Sequence, residues 1–296
     1  MVLCQWIHCR TFRRHKLMKT IILIGLFFTS VLLGAQNRTI YDIRGNSFLL
    51  DANMTLFLGN WRTATVTPIQ HGTYKNVIVN GDTDVKSVTL TFDDAPDENN
   101  TYKLLDILKE HNVKAAFFMI GGTMKDDNVT VVKLTHDMGH LVLSHSFNHP
   151  RMTDLSASDM RLQLTRTAQR IESITGKYPV LFRPPYGSIN AEVVDVINEH
   201  EMTTVLWSLD SLDWTLKDPE AVIQNVTSNV RNGDIILMHR NAVSVAALPK
   251  IIENLKAQGY AFVQLDNMIG IKPYREPSVV SDEWGCCSWL QRLLGM

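Results

Sequence analysis

The chain has 296 residues, of which 45% are hydrophobic, enough for one large domain with shorter appendages. Its 29 basic residues nearly balance its 30 acidic residues. Because phosphate binding relies on clustered Lys and Arg, this balance gives no indication of a nucleic-acid partner. The four cysteines, at positions 4, 9, 286 and 287, leave the central part with none, so a metal site there must use His and carboxylate ligands.

Residues 1–36 are predicted to be a leader. Positive charges in RTFRRHKLMKT precede an apolar run of 15 residues, IILIGLFFTSVLLGA, at positions 21–35. A bilayer span usually needs about 20 residues, so we prefer a secretory signal, with an uncleaved membrane anchor as the alternative. Met18 is a candidate for the natural start. We expect a secreted or cell-envelope protein that contacts the membrane only through this segment, if the segment is uncleaved.

Residues 37–84 are short, polar and β-leaning, with turn signals at Pro68 and Gly72, and are interpreted as a small N-terminal extension or a stalk. Residues 271–296 form a C-terminal tail that contains the amphipathic stretch WGCCSWLQRLLGM. We expect this tail to dock on the main domain or to fray. The sequence gives no indication of an oligomeric state.

Residues 85–270 alternate short apolar runs with amphipathic segments. The predicted strands are SVTLTF, KAAFFMIG, HLVLS, VLFR, TTVLWS, DIILMH and YAFVQL, each followed or preceded by a helical pattern. Such alternation is typical of an α/β domain with a parallel sheet and helices outside it. Seven such units predict a closed or nearly closed barrel, with an open doubly wound sheet as the alternative.

Polar residues follow five of these strands directly. They are Asp93, Asp94, His145, His149, Arg183, Asp210, Asp213 and His239. The carboxyl ends of parallel strands share one face of a barrel, where active sites are built. The sequence therefore predicts that these side chains converge at one mouth.

The spacing His145-x-x-x-His149 would place two imidazoles on one face if the turn is helical. Joined to one carboxylate of the adjacent Asp93 and Asp94, they make a two-His, one-carboxylate site with open positions for water and substrate. The other carboxylate can then take a proton from water activated by the metal. His239, on a different strand, would serve as general acid.

The ordered motifs TFDDAP, HSFNH, RPPYG, DSLDW and LMH resemble the five motifs of the polysaccharide deacetylases, carbohydrate esterase family 4, over about residues 85–268. The resemblance implies the distorted (β/α) barrel of the NodB homology domain. It also implies metal-dependent hydrolysis of N-acetyl groups on N-acetylglucosamine polymers such as peptidoglycan or a chitin-like polysaccharide. Some members instead remove O-acetyl groups from xylan.

Carried over motif by motif, the resemblance makes Asp93 the catalytic base, with Asp94, His145 and His149 as the metal ligands. The resemblance also implies that Arg183 orients Asp93 and that the backbone N–H of Tyr186 contacts the oxyanion. Trp214 and Leu237 would line the acetyl pocket, and Asp213 would tune the acid His239.

Two positions depart from the family pattern. Ala95 replaces the usual Gly, and Arg240 replaces a frequent Asp and is expected to add positive charge beside the groove.

Two other functions stay open on the residues alone. A glycan-binding module without catalysis would fit the same fold, but the complete set of predicted catalytic groups argues against it. A non-haem iron oxygenase uses a similar metal site, yet the paired Asp and distant His are not required there. The ligand set suits Zn and also Co, Fe or Ni.

Overall fold

The computed structural model describes residues 39–45 and 49–275. The predicted leader with its candidate start Met18, and the tail residues Cys286 and Cys287, lie outside the described residues. Within the described part, no helix combines the length and apolar character needed to cross a membrane. The first residues of the tail do dock on the domain, since the backbone N–H of Val142 donates to the Tyr274 hydroxyl at 2.9 Å.

The described strands form one nine-stranded sheet whose ladders are all parallel. The strands are β1 (Val77–Ile78), β2 (Ser87–Ala95), β3 (Ala116–Met119), β4 (Leu141–Ser144), β5 (Leu181–Phe182), β6 (Thr203–Val205), β7 (Leu209–Asp210), β8 (Asp234–His239) and β9 (Ala261–Phe262). Their order is β1-β6-β5-β4-β3-β2-β8-β7, and β9 pairs with the start of β2. The sheet curls into a half-barrel, which confirms the α/β barrel prediction. All seven predicted strands are present, and the short strands β1 and β7 were not predicted.

Eight α-helices accompany the sheet in the described residues. They are α1 (Ala52–Gln70), α2 (Asn100–Glu110), α3 (Asn128–Asp137), α4 (Ala157–Thr175), α5 (Ala191–Glu199), α6 (Pro219–Asn229), α7 (Ala242–Ala257) and α8 (Leu265–Ile269). Local signals set several of their ends. The Ser156 side chain accepts a hydrogen bond from the backbone of Asp159 at the start of α4, and Gly176 ends the helix in a left-handed conformation.

The central strand β2 separates two regions of the core by the alternation of its side chains. Val88, Leu90 and Phe92 belong to the cluster shared with the surrounding helices. The residues at the alternate positions of β2, which end with Thr91 and Asp93, face the inside of the half-barrel. The apolar cluster on this inner side comes mainly from neighbouring strands and the N-terminal segment. The pleat of β2 therefore directs Asp93 inward at the end of the strand.

The prediction of a β-leaning extension over residues 37–84 is wrong for the 19 residues that form α1, whereas the strand β1 does lie in this segment. Asp51 caps the helix by accepting a hydrogen bond from the Met54 backbone N–H at 2.8 Å. Leu58 and Ile69 are buried on one side of it. Pro68, read as a turn signal, lies inside the last turn of the helix, where it removes the N–H that would donate to the carbonyl of Ala64. The segment is not a separate stalk, since it belongs to the same compact unit as the barrel.

Candidate active site

The predicted polar residues converge at the carboxyl ends of the strands. Asp93 near the end of β2 lies in register with His239, the last residue of β8. The backbone N–H of His145, directly after β4, donates to the Met119 carbonyl at the end of β3. A pocket opens between these strand ends and is lined by eight of the ten predicted site residues: Asp93, Asp94, His145, His149, Tyr186, Trp214, Leu237 and His239. The other two, Arg183 and Asp213, are buried directly behind Asp93 and His239.

Asp94, His145 and His149 form a cluster whose candidate ligand atoms all lie within 4.8 Å of one another. The Oδ1 atom of Asp94 is 3.1 Å from His149 Nε2 and 3.6 Å from His145 Nε2. The two imidazoles do not share a helical turn as expected. They meet through a loop in which Ser146 and His149 adopt left-handed conformations, with φ of 65° and 58°. Such angles are costly for residues other than Gly and concentrate at functional sites.

The donor set of this cluster fits a divalent cation. His145 Nδ1 is 2.7 Å from the carbonyl oxygen of Arg183, which places the ring proton on Nδ1 and leaves the Nε2 lone pair facing Asp94. Burial lowers the pKa of His145, although the negative charges of Asp93 and Asp94 act to raise it. The ring therefore favours the neutral form that a metal ligand needs. Asp94 Oδ1 is buried and accepts no well-formed hydrogen bond within the described residues.

The Asp94 carboxyl also favours the ionised form. Burial acts to raise its pKa, but His149 and the neighbouring His145 and His239 lower it well below the usual range. A carboxylate oxygen and two imidazole nitrogens that leave other positions open are the ligand set of a catalytic metal site. The residues therefore fit the metal that the sequence predicts.

The Asp93 carboxylate is held by the guanidinium of Arg183, which is completely buried. Arg183 Nη1 donates to Asp93 Oδ1 at 2.8 Å. Its remaining acceptors are Thr91 Oγ1 at 2.8 Å and the carbonyl oxygens of Val205 and Leu206 at 3.1 and 2.8 Å. With all three guanidinium nitrogens engaged, Arg183 fixes the carboxylate in one orientation. Asp93 Oδ2 accepts no hydrogen bond from Arg183 and lies 3.7 Å from His145 Nε2, towards the pocket.

His239 is paired with the buried carboxylate of Asp213. Its Nδ1 atom is 2.7 Å from Asp213 Oδ1, and its backbone N–H donates to Asp213 Oδ2 at 2.6 Å. The hydroxyl of Ser244, a residue without a predicted role, also donates to Oδ2. Burial opposes the charged imidazole, but Asp213, with smaller contributions from Asp93 and Asp94, raises the pKa of His239 to about 10. The ring is therefore a protonated acid at neutral pH.

The pocket wall is more aromatic than the motifs indicate. Trp214 is partly exposed, and its Nε1–H donates to Asp210 Oδ1 at 3.2 Å. Tyr186, in a left-handed conformation with φ of 60°, lies edge-on to His149 with 4.7 Å between ring centroids. The pocket residues that the site prediction did not include are Phe57, Leu58 and Trp61 of α1, together with Arg151, Trp207 and Asp210. Asp210 was predicted at a strand end but without a role.

The two departures from the family pattern have different outcomes. Ala95 is a buried residue of β2 and takes no left-handed backbone angle, so its side chain is tolerated there. Arg240 donates to Asp97 Oδ2 at 2.9 Å and also to the backbone carbonyl of Asp94. The Arg240 guanidinium thus lies beside the site, next to Trp214 and His239, with its charge paired to Asp97.

The chain is similar to proteins of one family. Residues 80–205 match the family model described as polysaccharide deacetylase. The peptidoglycan-N-acetylglucosamine deacetylase PgdA of Listeria monocytogenes serotype 1/2a is 37% identical over 188 residues, which cover 63% of this chain and 40% of that protein. The chain thus corresponds to well under half of the length of this relative.

Two solved structures have the same fold. A peptidoglycan N-acetylglucosamine deacetylase, Bc1960, in complex with a hydroxamate, superposes with a TM-score of 0.66 at 33% identity and covers 69% of this chain and 97% of its own. BA3943 of Bacillus anthracis, described as a family 4 carbohydrate esterase pseudoenzyme, superposes with a TM-score of 0.62 at 35% identity, covering 65% of this chain and 68% of its own. With its fold, its site geometry and these similarities, the chain belongs to the polysaccharide deacetylase family.

Proposed function

We propose that the protein is a metal-dependent deacetylase that hydrolyses N-acetyl groups on N-acetylglucosamine residues of peptidoglycan or a chitin-like polysaccharide. One observation carries the proposal. At one pocket, the cluster of Asp94, His145 and His149 is flanked by a carboxylate with a free oxygen, Asp93, and by a protonated imidazole, His239. Amide hydrolysis needs a base for the attacking water and an acid for the departing amine, and both are present.

The residues of the chain divide the proton transfers between them. A divalent cation held by Asp94, His145 and His149 supplies Lewis-acid polarisation of the acetyl carbonyl and activates water when it is bound. Asp93, fixed through Oδ1 by Arg183, takes a proton from the attacking water at Oδ2. His239, fixed through Nδ1 by Asp213, donates the Nε2 proton to the amine nitrogen as the C–N bond breaks. The products are acetate and a free amine on the sugar.

The similar proteins favour a deacetylase over a binding module, but one of them is described as a pseudoenzyme, so catalysis has to be measured. The relatives at 37% and 33% identity carry the name of N-acetylglucosamine deacetylases, and the pseudoenzyme at 35% identity has the same fold. Fold alone therefore does not decide catalysis. The intact pairs Asp93–Arg183 and Asp213–His239 support an active enzyme.

We also propose Zn as the metal, with Co, Fe and Ni as alternatives, because two imidazoles and one carboxylate suit all four. Export to the cell envelope, through the apolar segment at positions 21–35, would bring the enzyme to a wall polysaccharide. The proposed partner is the acetylated polysaccharide itself.

Acetate release by the purified full chain from chitopentaose and from peptidoglycan tests the function. The protein is assayed as prepared, after chelation, and after addition of Zn, Co, Fe or Ni to the chelated sample. We expect release that stops on chelation and returns with one of these metals. No release from either glycan by metal-loaded protein would overturn the proposal and favour an O-acetyl xylan substrate or a binding module, which acetylated xylan would then separate.

A further inference from the structure

The helix α1 forms one wall of the pocket, although it precedes the residues that match the family model, which begin at residue 80. Trp61 of α1 stacks on Trp207 with 5.3 Å between ring centroids and an angle of 20° between the planes. A Cβ atom on Gly187 would lie 2.5 Å from Trp61 and 2.9 Å from Trp207. The close fit at Gly187 therefore seats α1 against the loop that carries Tyr186.

Phe57, one helical turn before Trp61, is different. It lines the pocket, yet 56% of it is exposed to solvent. Tyr186 and Trp214, which line the same pocket, are 54% and 36% exposed. Leaving large aromatic rings in water is unfavourable, and a ligand that covers them recovers this free energy. The opening of the pocket is thus bordered by three exposed rings from three separate parts of the chain.

These rings suit a sugar ring better than a charged group. A pyranose presents faces of C–H groups between its equatorial hydroxyls, so an aromatic ring can cover it without removing the hydroxyls from water. Within the α1 wall, the residues at the pocket are Phe57, Leu58 and Trp61, none of which is charged. The acetylated residue must lie over Asp93 and His239, so the next ring of the same polysaccharide would extend to the wall.

We propose that Phe57 of α1, supported by the Trp61–Trp207 stack, forms a subsite for the pyranose ring next to the acetylated residue. The helix then acts as a specificity determinant for polymeric substrates, a role separate from the catalytic groups. This inference rests on the proposed deacetylase function.

The test compares Phe57→Ala with the unaltered full chain, both loaded with metal, on chitopentaose and on vinyl acetate. Vinyl acetate is an activated ester that carries the acetyl group and no ring. We expect the KM for chitopentaose to rise about tenfold with kcat nearly unchanged, because a stacking contact equal in ground and transition states is lost. The kcat/KM for vinyl acetate should stay within about twofold. Phe57→Tyr, which keeps the ring, should restore the KM for chitopentaose.

Leu56→Ala is the matched control, since Leu56 precedes Phe57 on the same helix, is 65% exposed and does not line the pocket. The kcat and KM of Leu56→Ala should match those of the unaltered chain on both substrates. An unchanged KM for chitopentaose in Phe57→Ala, or an equal loss on both substrates, would overturn the subsite.

Calorimetric titration of chitopentaose into the same proteins after chelation gives a readout of binding without turnover. Weaker binding in Phe57→Ala alone supports the subsite, and equal binding in all three variants and the unaltered chain overturns it. Failure of the proposed function looks different, because the unaltered chain would then release no acetate from chitopentaose, whether or not it hydrolyses vinyl acetate.

Discussion

Two buried carboxylates, each paired with an arginine, lie at opposite ends of the sheet and differ in how many of their oxygens are engaged. Asp234 begins β8, and both of its oxygens accept hydrogen bonds from Arg44, with others from the Ser208 hydroxyl and the Arg231 backbone N–H. Asp93, near the end of β2, accepts from Arg183 at Oδ1 and turns Oδ2 to the pocket. A structural carboxylate has both oxygens occupied, whereas a catalytic one is fixed by one oxygen and reacts with the other.

We expect the largest effect from Asp93→Asn, and we expect it on catalysis. The amide can still accept from Arg183 but cannot take a proton from water, so kcat for acetate release should fall about 10³-fold. The free energy of unfolding should also fall, because the completely buried Arg183 loses its charged partner and keeps only the neutral acceptors Thr91 Oγ1 and two backbone carbonyls, so kcat is compared per folded molecule. Acetate release, thermal unfolding and metal content measure the three properties. Turnover at the unaltered rate would contradict the assignment of Asp93 as base.

A different pattern is expected for Asp234→Asn, in which the free energy of unfolding falls and catalysis does not. Removing this charge leaves Arg44 without its partner and places an amide N–H group against existing donors. Since Arg44 is 24% exposed and water can reach it, we expect a loss of about 2 to 3 kcal/mol in the free energy of unfolding. Acetate release per folded molecule should be unchanged. Denaturant unfolding measures the first quantity.

Glu253→Gln serves as the control for Asp234→Asn, because Glu253 pairs with Lys250 at 3.1 Å on the surface with both side chains more than half exposed. Its stability should be close to that of the unaltered chain. If Asp234→Asn instead reduced kcat as strongly as Asp93→Asn at equal stability, the distinction between the two carboxylates would be lost.

The catalytic end of the sheet was largely predictable from sequence. Each catalytic candidate follows a strand whose apolar run is readable on its own, and parallel strands necessarily bring their carboxyl ends to one face. The strand register then places Asp93 beside His239, which are 146 positions apart. What the sequence missed was the conformation of the loop from His145 to His149, because left-handed angles at Ser146 and His149 carry no local signal when Gly is absent.

The N-terminal wall of the pocket was not predictable. The segment that forms α1 contains β-branched residues and Pro68, which locally disfavour a helix, so its interpretation as β-leaning followed from propensity. Packing against the barrel decides its structure instead, through Leu58 and the Trp61–Trp207 stack. Similarly, the pairing of Arg240 with Asp97 joins side chains 143 positions apart and is visible only in the fold.

Asp213 combines the two kinds of carboxylate, since both of its oxygens are engaged, as in Asp234, yet its partner His239 is the proposed acid. It should therefore act through the pKa of His239, which is raised to about 10, and not by transferring a proton itself. A raised pKa keeps the acid protonated until the pH rises through that value. In Asp213→Asn the pKa falls, so the alkaline limb of kcat/KM for chitopentaose should move to lower pH by about 1 to 3 pH units. Ser244→Ala retains the carboxylate charge and should leave this limb close to its original position. A loss of activity in Asp213→Asn that is uniform across pH would indicate a structural role and remove the pKa argument.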